Sequence, residues 1–273
     1  MTLEDHVGDI IRKARAGQGI ASTPAAEAAG LSLGELALLE SDGACGKQPD
    51  YARLAQLLKL DANKLVAVAK GWVPVAPDLS QWRELRQVTT NGEGMDVHAY
   101  LIWDEVTREA ALFDTGWSAE PAIRLIQEEQ LNLTHLFLTH GHPDHIAGLE
   151  GLRSQYPKVR LHTDSPSAPP QHKNRRNDCI HVGSLRVSNR LTPGHADDGV
   201  TYLVGNWPED APHVAIVGDA IFAGSMGGAT AHFEDARRHV REQILVLPPH
   251  TLVCPGHGPL TTVAEERAQN PFF

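Results

Sequence analysis

Residues 139–145 read Thr139-His140-Gly141-His142-Pro143-Asp144-His145, which puts three imidazoles and one carboxylate within six consecutive positions. The apolar run at 135–138 predicts a strand before them, and residues 146–149 after them are compatible with a helix. Imidazole nitrogens and carboxylate oxygens are ligands that zinc, iron and manganese accept. Because each spacing is constrained and the setting is a strand followed by a tight loop, the pattern predicts a metal site.

Four other blocks carry ligand-type residues at the ends of predicted strands. They are Phe113-Asp114-Thr115-Gly116, Thr192-Pro193-Gly194-His195, Val217-Gly218-Asp219 and Cys254-Pro255-Gly256-His257. With residues 139–145 they resemble, in chain order and separation, the five motifs of the metallo-β-lactamase superfamily, over about residues 85–273. The resemblance implies an α/β fold, a four-layer αββα sandwich with two mixed sheets face to face, helices outside and the site at one edge.

The resemblance also implies a role for each motif residue. A first metal would be held by His140, His142 and His195, a second by Asp144, His145 and His257, and Asp219 would bridge the two. Asp114 would orient a ligand histidine by accepting its other ring proton. The implied cofactor is one or two divalent metal ions, with zinc expected first and iron or manganese as alternatives.

The expected chemistry follows from the charge of the metal. A divalent cation lowers the pKa of bound water from 15.7 towards about 7, so a hydroxide nucleophile exists at neutral pH. Asp144, beside that hydroxide, could hold its proton and pass it to the leaving group. Asp144 and Asp219 are therefore the expected catalytic residues, and hydrolysis of an ester, thioester or lactone is the expected reaction class.

The bridging position helps to assign the branch of the superfamily. Asp219 stands there instead of a cysteine, which indicates glyoxalase II-like, lactonase-like or persulfide dioxygenase-like proteins. The segments at 218–225 and 256–272 are similar to those of short glyoxalase II-like proteins. The sequence therefore predicts a glyoxalase II-like (hydroxyacylglutathione hydrolase-like) metallo-hydrolase. An iron-dependent persulfide dioxygenase, with iron on His140, His195 and Asp219, and a lactonase are the alternatives.

Two features depart from glyoxalase II itself. Only sixteen residues follow His257, fewer than its glutathione-binding helical domain requires. Gly227-Gly228-Ala229 stands where the family tends to place a basic residue that contacts the glutathione carboxylate. The substrate-binding residues are therefore not assigned.

The first quarter of the chain has a different pattern. Residues 7–72 carry apolar side chains at helical spacing, and Pro74 and Pro77 then interrupt the pattern. We predict a small all-α domain at 1–74 and the catalytic domain at 75–273. Residues 7–70 resemble the helix-turn-helix domain of phage-repressor-type regulators, which implies a second hypothesis, a DNA-binding regulator with a metal-binding sensor domain.

The helix that would enter the major groove, at 32–40, argues against that hypothesis. It has no arginine, lysine, asparagine or glutamine to contact a base or phosphate, and Glu35 and Glu40 are expected to repel DNA. We therefore favour a helical module that serves self-association, as in a homo-oligomer, or covers the active site.

Composition limits the partners. The formal net charge of −10 disfavours binding to nucleic acid or to an anionic membrane and favours a small-molecule ester, thioester or lactone. Cys45, Cys179 and Cys254 match no disulfide framework, and we find no secretory leader or transmembrane segment, so a cytoplasmic location is expected. Cys254 and eight of the histidines outside the motifs are expected to be structural or surface residues, namely His98, His135, His162, His181, His213, His232, His239 and His250.

Overall fold

The computed structural model describes residues 2–176 and 178–273. Within them the chain begins with five helices and continues into two mixed β-sheets that pack face to face. In these two ranges, no helix is both long and apolar enough to cross a bilayer.

The five N-terminal helices form where the apolar spacing predicts helix. They are α1 (Val7–Gly17), α2 (Ser22–Ala29), α3 (Leu33–Asp42), α4 (Tyr51–Leu57) and α5 (Ala62–Ala69). Ser32 caps α3 through a reciprocal pair of hydrogen bonds with Glu35, while Gly30 and Gly43 end α2 and α3 at positive φ. The helix-turn-helix assignment stays a prediction.

One expectation for α3 is wrong. Glu40, expected to face DNA, is buried, and its carboxylate accepts hydrogen bonds of 2.6 and 2.8 Å from the Arg15 guanidinium on α1. Its negative charge is therefore compensated inside the helical region and is not displayed to a nucleic acid.

The first sheet has the strand order β1-β2-β3-β4-β5. Its strands are β1 (Leu85–Gly92), β2 (Met95–Trp103), β3 (Glu109–Phe113), β4 (Asn132–Phe137) and β5 (Arg160–His162). The first three pair antiparallel, whereas β3, β4 and β5 are parallel neighbours. Helix α6 (Glu120–Glu128) connects β3 to β4, and α7 (Pro143–Ile146) and α8 (Leu149–Gln155) connect β4 to β5.

The second sheet has the strand order β11-β10-β9-β8-β7-β6. Its strands are β6 (Cys179–Val182), β7 (Leu185–Leu191), β8 (Val200–Gly205), β9 (Val214–Gly218), β10 (Leu252–Pro255) and β11 (Thr261–Thr262). Strands β9 and β10 are parallel, and the other pairs are antiparallel. Helix α9 (Phe233–His239) lies between β9 and β10, and α10 (Val263–Gln269) follows β11.

Three apolar layers hold this part together. Phe113 and Phe137 stack between the sheets at 4.9 Å and meet Tyr202 from the opposite sheet. The outer face of the first sheet packs against α6 and α8, and that of the second packs against α10 and the helical turn Val240–Ile244 that follows α9. The expected four-layer αββα sandwich is thereby confirmed.

A fourth buried apolar cluster joins the N-terminal helices to α9 and to the residues that follow α10. Ile10, Leu36 and Leu65 of the helices belong to the same buried cluster as Phe233 and Phe272. The domain boundary near residue 75 falls between α5 and β1 and stays a prediction, but the apolar packing continues across it.

Candidate metal centre

Strand topology brings the predicted site residues to one edge of the sandwich. His140 and His142 follow β4, and Asp114 follows its parallel neighbour β3. Asp219 and His257 likewise follow β9 and β10, which are parallel neighbours in the other sheet. Because parallel strands end on the same side of a sheet, the two pairs of strand ends meet where the sheets face each other.

Three imidazoles form the first group. His142 Nδ1 lies 3.1 Å from His140 Nε2 and 3.0 Å from His195 Nε2. His195 reaches this point from the loop after β7, far along the chain from the other two. The three side chains offer ligand atoms that all lie within 4.8 Å of one another.

Asp144, His145 and His257 form the second group, and Asp219 lies between the two groups. His257 Nε2 is 3.2 Å from Asp144 Oδ2, and the ligand atoms of this group also lie within 4.8 Å of one another. Asp219 Oδ1 lies 3.2 Å from His145 Nε2, while its Oδ2 lies 3.4 Å from His195 Nε2 and 3.5 Å from His257 Nε2. All seven predicted ligand side chains therefore converge.

This close approach depends on a glycine beside His257. A Cβ on Gly256 would lie 2.3 Å from Asp219 Oδ1 and 2.6 Å from His145 Cε1. Any side chain there would push two site residues apart.

Two buried atoms indicate that the centre fits a cation. Among the described residues, His145 Nε2 and Asp219 Oδ1 are buried and face each other at 3.2 Å, but neither makes a hydrogen bond of acceptable geometry. Such atoms are costly unless water or an ion satisfies them. His142 Nδ1 carries at most one proton, so it cannot donate to both imidazole nitrogens that face it. A divalent cation held by these lone pairs would satisfy all of them.

The outward ring nitrogens fix the orientation of three of the candidate ligand histidines. His145 Nδ1 lies 2.8 Å from Asp114 Oδ2, His195 Nδ1 lies 3.0 Å from Gly228 O, and His257 Nδ1 lies 2.6 Å from Asp96 O. Because these oxygens only accept, each Nδ1 must donate, and Nε2 faces the centre.

Thr139 connects Asp114 to a fourth ligand histidine. Its hydroxyl donates to Asp114 Oδ2 at 2.6 Å and lies 3.1 Å from His140 Nδ1, so it can accept that ring proton. The sequence motifs predict no role for Thr139 or for the carbonyls of Asp96 and Gly228. Thr139 stands inside the quoted motif, but backbone carbonyls have no signature in a sequence.

The pKa values of these histidines are shifted in opposite directions, downwards by burial and upwards by neighbouring carboxylates. Burial lowers the pKa of His140 to about 2 and also lowers that of His195. Burial opposes the charged form of His145 and His257 too, but neighbouring carboxylates outweigh it. Asp114 and Asp219 raise the pKa of His145 to about 10, and Asp144 and Asp219 raise that of His257 to about 11. Without metal, protons balance the carboxylate charge in the second group, and a cation would replace them.

Replacing Asp114 with asparagine is expected to weaken metal binding and turnover by roughly 10–100-fold. Asp114 Oδ2 accepts from His145 and the Thr139 hydroxyl, and its Oδ1 accepts from the Thr139 amide at 2.7 Å. An amide nitrogen at either position would face a donor. Competition with a chelator measures the metal affinity.

Asp104 provides the matched control for that substitution. It is equally buried and also accepts from a hydroxyl and backbone amides, at Ser184 and Thr107, away from the centre. Asp104→Asn should lower thermal stability and leave metal affinity unchanged. Equal metal affinity in Asp114→Asn and the wild type would contradict the role given to Asp114.

A cleft of about 580 Å³ opens onto the first group of ligands. His142 and His195 form part of its wall, with Asp197, Asp198 and His232 nearby. Within the described residues, no lysine or arginine lines this cleft. A substrate in this cleft would lie close to both carboxylates and imidazoles.

The residues expected to be structural lie outside the two ligand groups. His98 is buried, with its ring nitrogens near Thr89 Oγ1 and Gly258 O, and His135 pairs with His162 across β4 and β5. Cys254 is buried between the sheets, and burial raises the pKa of its thiol. Its inert thiol needs no catalytic role.

Comparison with known proteins gives concordant matches. The family model described as Metallo-beta-lactamase superfamily matches residues 92–257. The probable metallo-hydrolase YqgX of Bacillus subtilis is 30% identical over 198 residues, 64% of this chain and 90% of the relative. The hydroxyacylglutathione hydrolase GloC of Haemophilus influenzae is 27% identical over 63% of this chain and 91% of its own length. The crystal structure of TTHA1623 in a di-iron-bound form superposes with a TM-score of 0.55 and 27% identity, covering 69% of this chain and 100% of that one.

Proposed function

The chain belongs to the metallo-β-lactamase superfamily, and on that premise we propose that it is a metal-dependent hydrolase of small esters and thioesters, of the glyoxalase II-like type. One observation carries the proposal. The candidate ligands form two groups of three side chains. Within each group the metal-binding atoms lie within 4.8 Å of one another, and Asp219 contacts both groups. Buried ligand atoms without hydrogen-bond partners, found among the described residues, support metal occupancy of the same point.

The residues of the proposed centre have separate roles. Divalent cations on the seven ligands would supply a hydroxide nucleophile at neutral pH and polarise the substrate carbonyl. His145, His195 and His257 present Nε2 to the centre because their Nδ1 atoms are held by outer acceptors. Asp219 offsets positive charge between the two ligand groups.

Proton transfer is assigned to Asp144. Its side chain is 14% exposed, more than that of Asp219 at 7%, so it lies on the side of the centre closer to solvent. Its carboxylate would take the proton of the attacking water and return it to the leaving group.

The relatives support the thioester assignment. GloC is described as a hydroxyacylglutathione hydrolase, and the present chain covers 91% of its length. The absence of lysine and arginine from the described lining of the cleft, and the presence of Asp197 and Asp198, disfavour an acidic leaving group such as glutathione. We therefore expect neutral thioesters and lactones to be hydrolysed faster than S-lactoylglutathione.

A substrate panel with and without chelator tests the proposal. We expect hydrolysis of S-lactoylglutathione, an uncharged acyl thioester or an acyl-homoserine lactone, loss of that activity on chelation and its recovery with Zn²⁺, Mn²⁺ or Fe²⁺. Oxygen consumption with glutathione persulfide, and no hydrolysis, would replace the proposal with the dioxygenase alternative. Hydrolysis that persists without metal would overturn it.

For the N-terminal helices we propose a role in the enzyme and not in DNA binding. The exposed face of α3 carries Leu33 and Leu38, which are 54% and 51% exposed, and offers no cation for phosphate. An electrophoretic shift assay at low salt should detect no complex with duplex DNA. A tight complex would favour the regulator hypothesis.

A further inference from the structure

Two charged side chains near the start of the chain hold the segment after β9. Asp5 Oδ2 accepts a hydrogen bond of 2.5 Å from Lys13 Nζ and another of 2.5 Å from Ser225 Oγ. Lys13 Nζ also donates to Met226 O at 2.9 Å. Asp5 is 6% exposed and Ser225 is fully buried, so these charge-assisted bonds are shielded from water. We call residues 222–228 the Phe222 loop.

The other side of the Phe222 loop is held by α10 and the residue after it. Glu266 accepts a hydrogen bond of 3.0 Å from Gly224 N, and the Asn270 amide donates to Ser225 O at 2.7 Å. Met226 is buried in the apolar cluster of the N-terminal helices. The loop is therefore clamped between the helical region on one side and the end of the chain on the other.

The far end of the Phe222 loop contacts a proposed metal ligand. Gly228 O lies 3.0 Å from His195 Nδ1. A Cβ on Gly227 would lie 2.0 Å from Asp219 O and 2.9 Å from His195 Nδ1, so the loop backbone packs directly on the ring. A shift of this backbone would move the acceptor that determines which nitrogen of His195 carries the proton.

We propose that Asp5 and Lys13 are positioning residues of the metal centre. They fix the Phe222 loop, and the loop carbonyl at Gly228 fixes the ring orientation and tautomer of His195. The inference rests on the proposed function, because it takes His195 as a metal ligand. The N-terminal region therefore helps to position the metal centre and does not act as an independent domain.

Co²⁺ binding to the full-length protein tests the inference without any substrate. Asp5→Asn removes the charge that holds both Lys13 and Ser225, so the affinity for Co²⁺ should fall by roughly 10–100-fold. The visible absorption spectrum of bound Co²⁺ should change as well, since it reports ligand geometry. The matched control is Glu40→Gln, which neutralises a carboxylate paired with Arg15, two residues beyond Lys13 on α1. It should lower thermal stability with the Co²⁺ affinity and spectrum unchanged.

The outcomes are distinguishable. Unchanged Co²⁺ affinity and spectrum in Asp5→Asn, or an equal loss in Glu40→Gln, would overturn the inference while the proposed function stands. If Asp5→Asn does not fold, Ser225→Ala decides, because it removes one hydroxyl from the same network and should reproduce a smaller loss of affinity; no loss overturns the inference. A wild-type protein that binds no Co²⁺ would overturn the proposed function itself.

Discussion

Replacing Asp219 with alanine is expected to abolish stable metal binding and to lower kcat/KM by at least about a thousandfold. Asp219 is 7% exposed and contacts both proposed ligand groups through His145, His195 and His257. Its removal leaves the imidazoles without the carboxylate that offsets cationic charge, so metal affinity should fall at both positions. Elemental analysis after desalting, together with the hydrolysis rate, measures both effects.

Asp235 offers the control for that experiment. It is an exposed carboxylate on α9 that pairs with Arg238 three residues later, so Asp235→Ala removes the same charge from the surface. Its metal content and rate should match the wild type. Thermal melting adds a second readout, because metal should raise the Tm of the wild type and of Asp235→Ala but not of Asp219→Ala. Full metal content and rate in Asp219→Ala would show that the centre is misassigned.

Deleting residues 1–74 is expected to produce an insoluble protein or one whose Tm is lower by about 10–20 °C. The deletion uncovers Met226, Phe233 and Phe272, each of which is at most 4% exposed in the intact chain. Exposing three large apolar side chains costs on the order of 5 kcal/mol. That is a large share of the stability of an ordinary domain, about 5–15 kcal/mol. The hydrogen bond of 2.9 Å from Asp61 N to Pro271 O is lost too.

A pair of substitutions on the exposed face of α3 serves as the control for this deletion. Leu33→Ala with Leu38→Ala removes two exposed apolar side chains of α3 and should leave the Tm within a few degrees of the wild type. A chain of residues 75–273 that is monomeric and as stable and active as the whole would contradict the shared core and support two independent domains.

The sequence was most informative where side chains act through their type and spacing. Apolar runs such as 99–103 and 214–217 are typical of strands, and they form parts of β2 and β9, which are buried on both faces of their sheets. Strands β1, β6, β7 and β11 were not predicted. They carry polar residues such as Gln87, Asn91 and Asn189 because they lie at or near sheet edges, where exposed positions alternate with buried ones.

The convergence of the seven candidate ligands could be predicted because metal-ligand chemistry favours histidine and aspartate in fixed motifs. The groups that hold these side chains in place could not be predicted. Gly228 and Asp96 act through carbonyls, which every residue has, and the contact between Asp5 and Ser225 joins positions 220 residues apart. The prediction that Glu40 repels DNA was wrong because its partner Arg15 lies on another helix, and only tertiary packing brings the two side chains together.

Anomalous diffraction from crystals of the metal-loaded protein tests the central claim most directly. We expect one or two peaks at bonding distances of about 2.0–2.2 Å from nitrogen or oxygen ligands. The expected ligands are His140, His142, Asp144, His145, His195, Asp219 and His257. Ordered metal elsewhere on the protein, with no peak among those seven side chains, would contradict it.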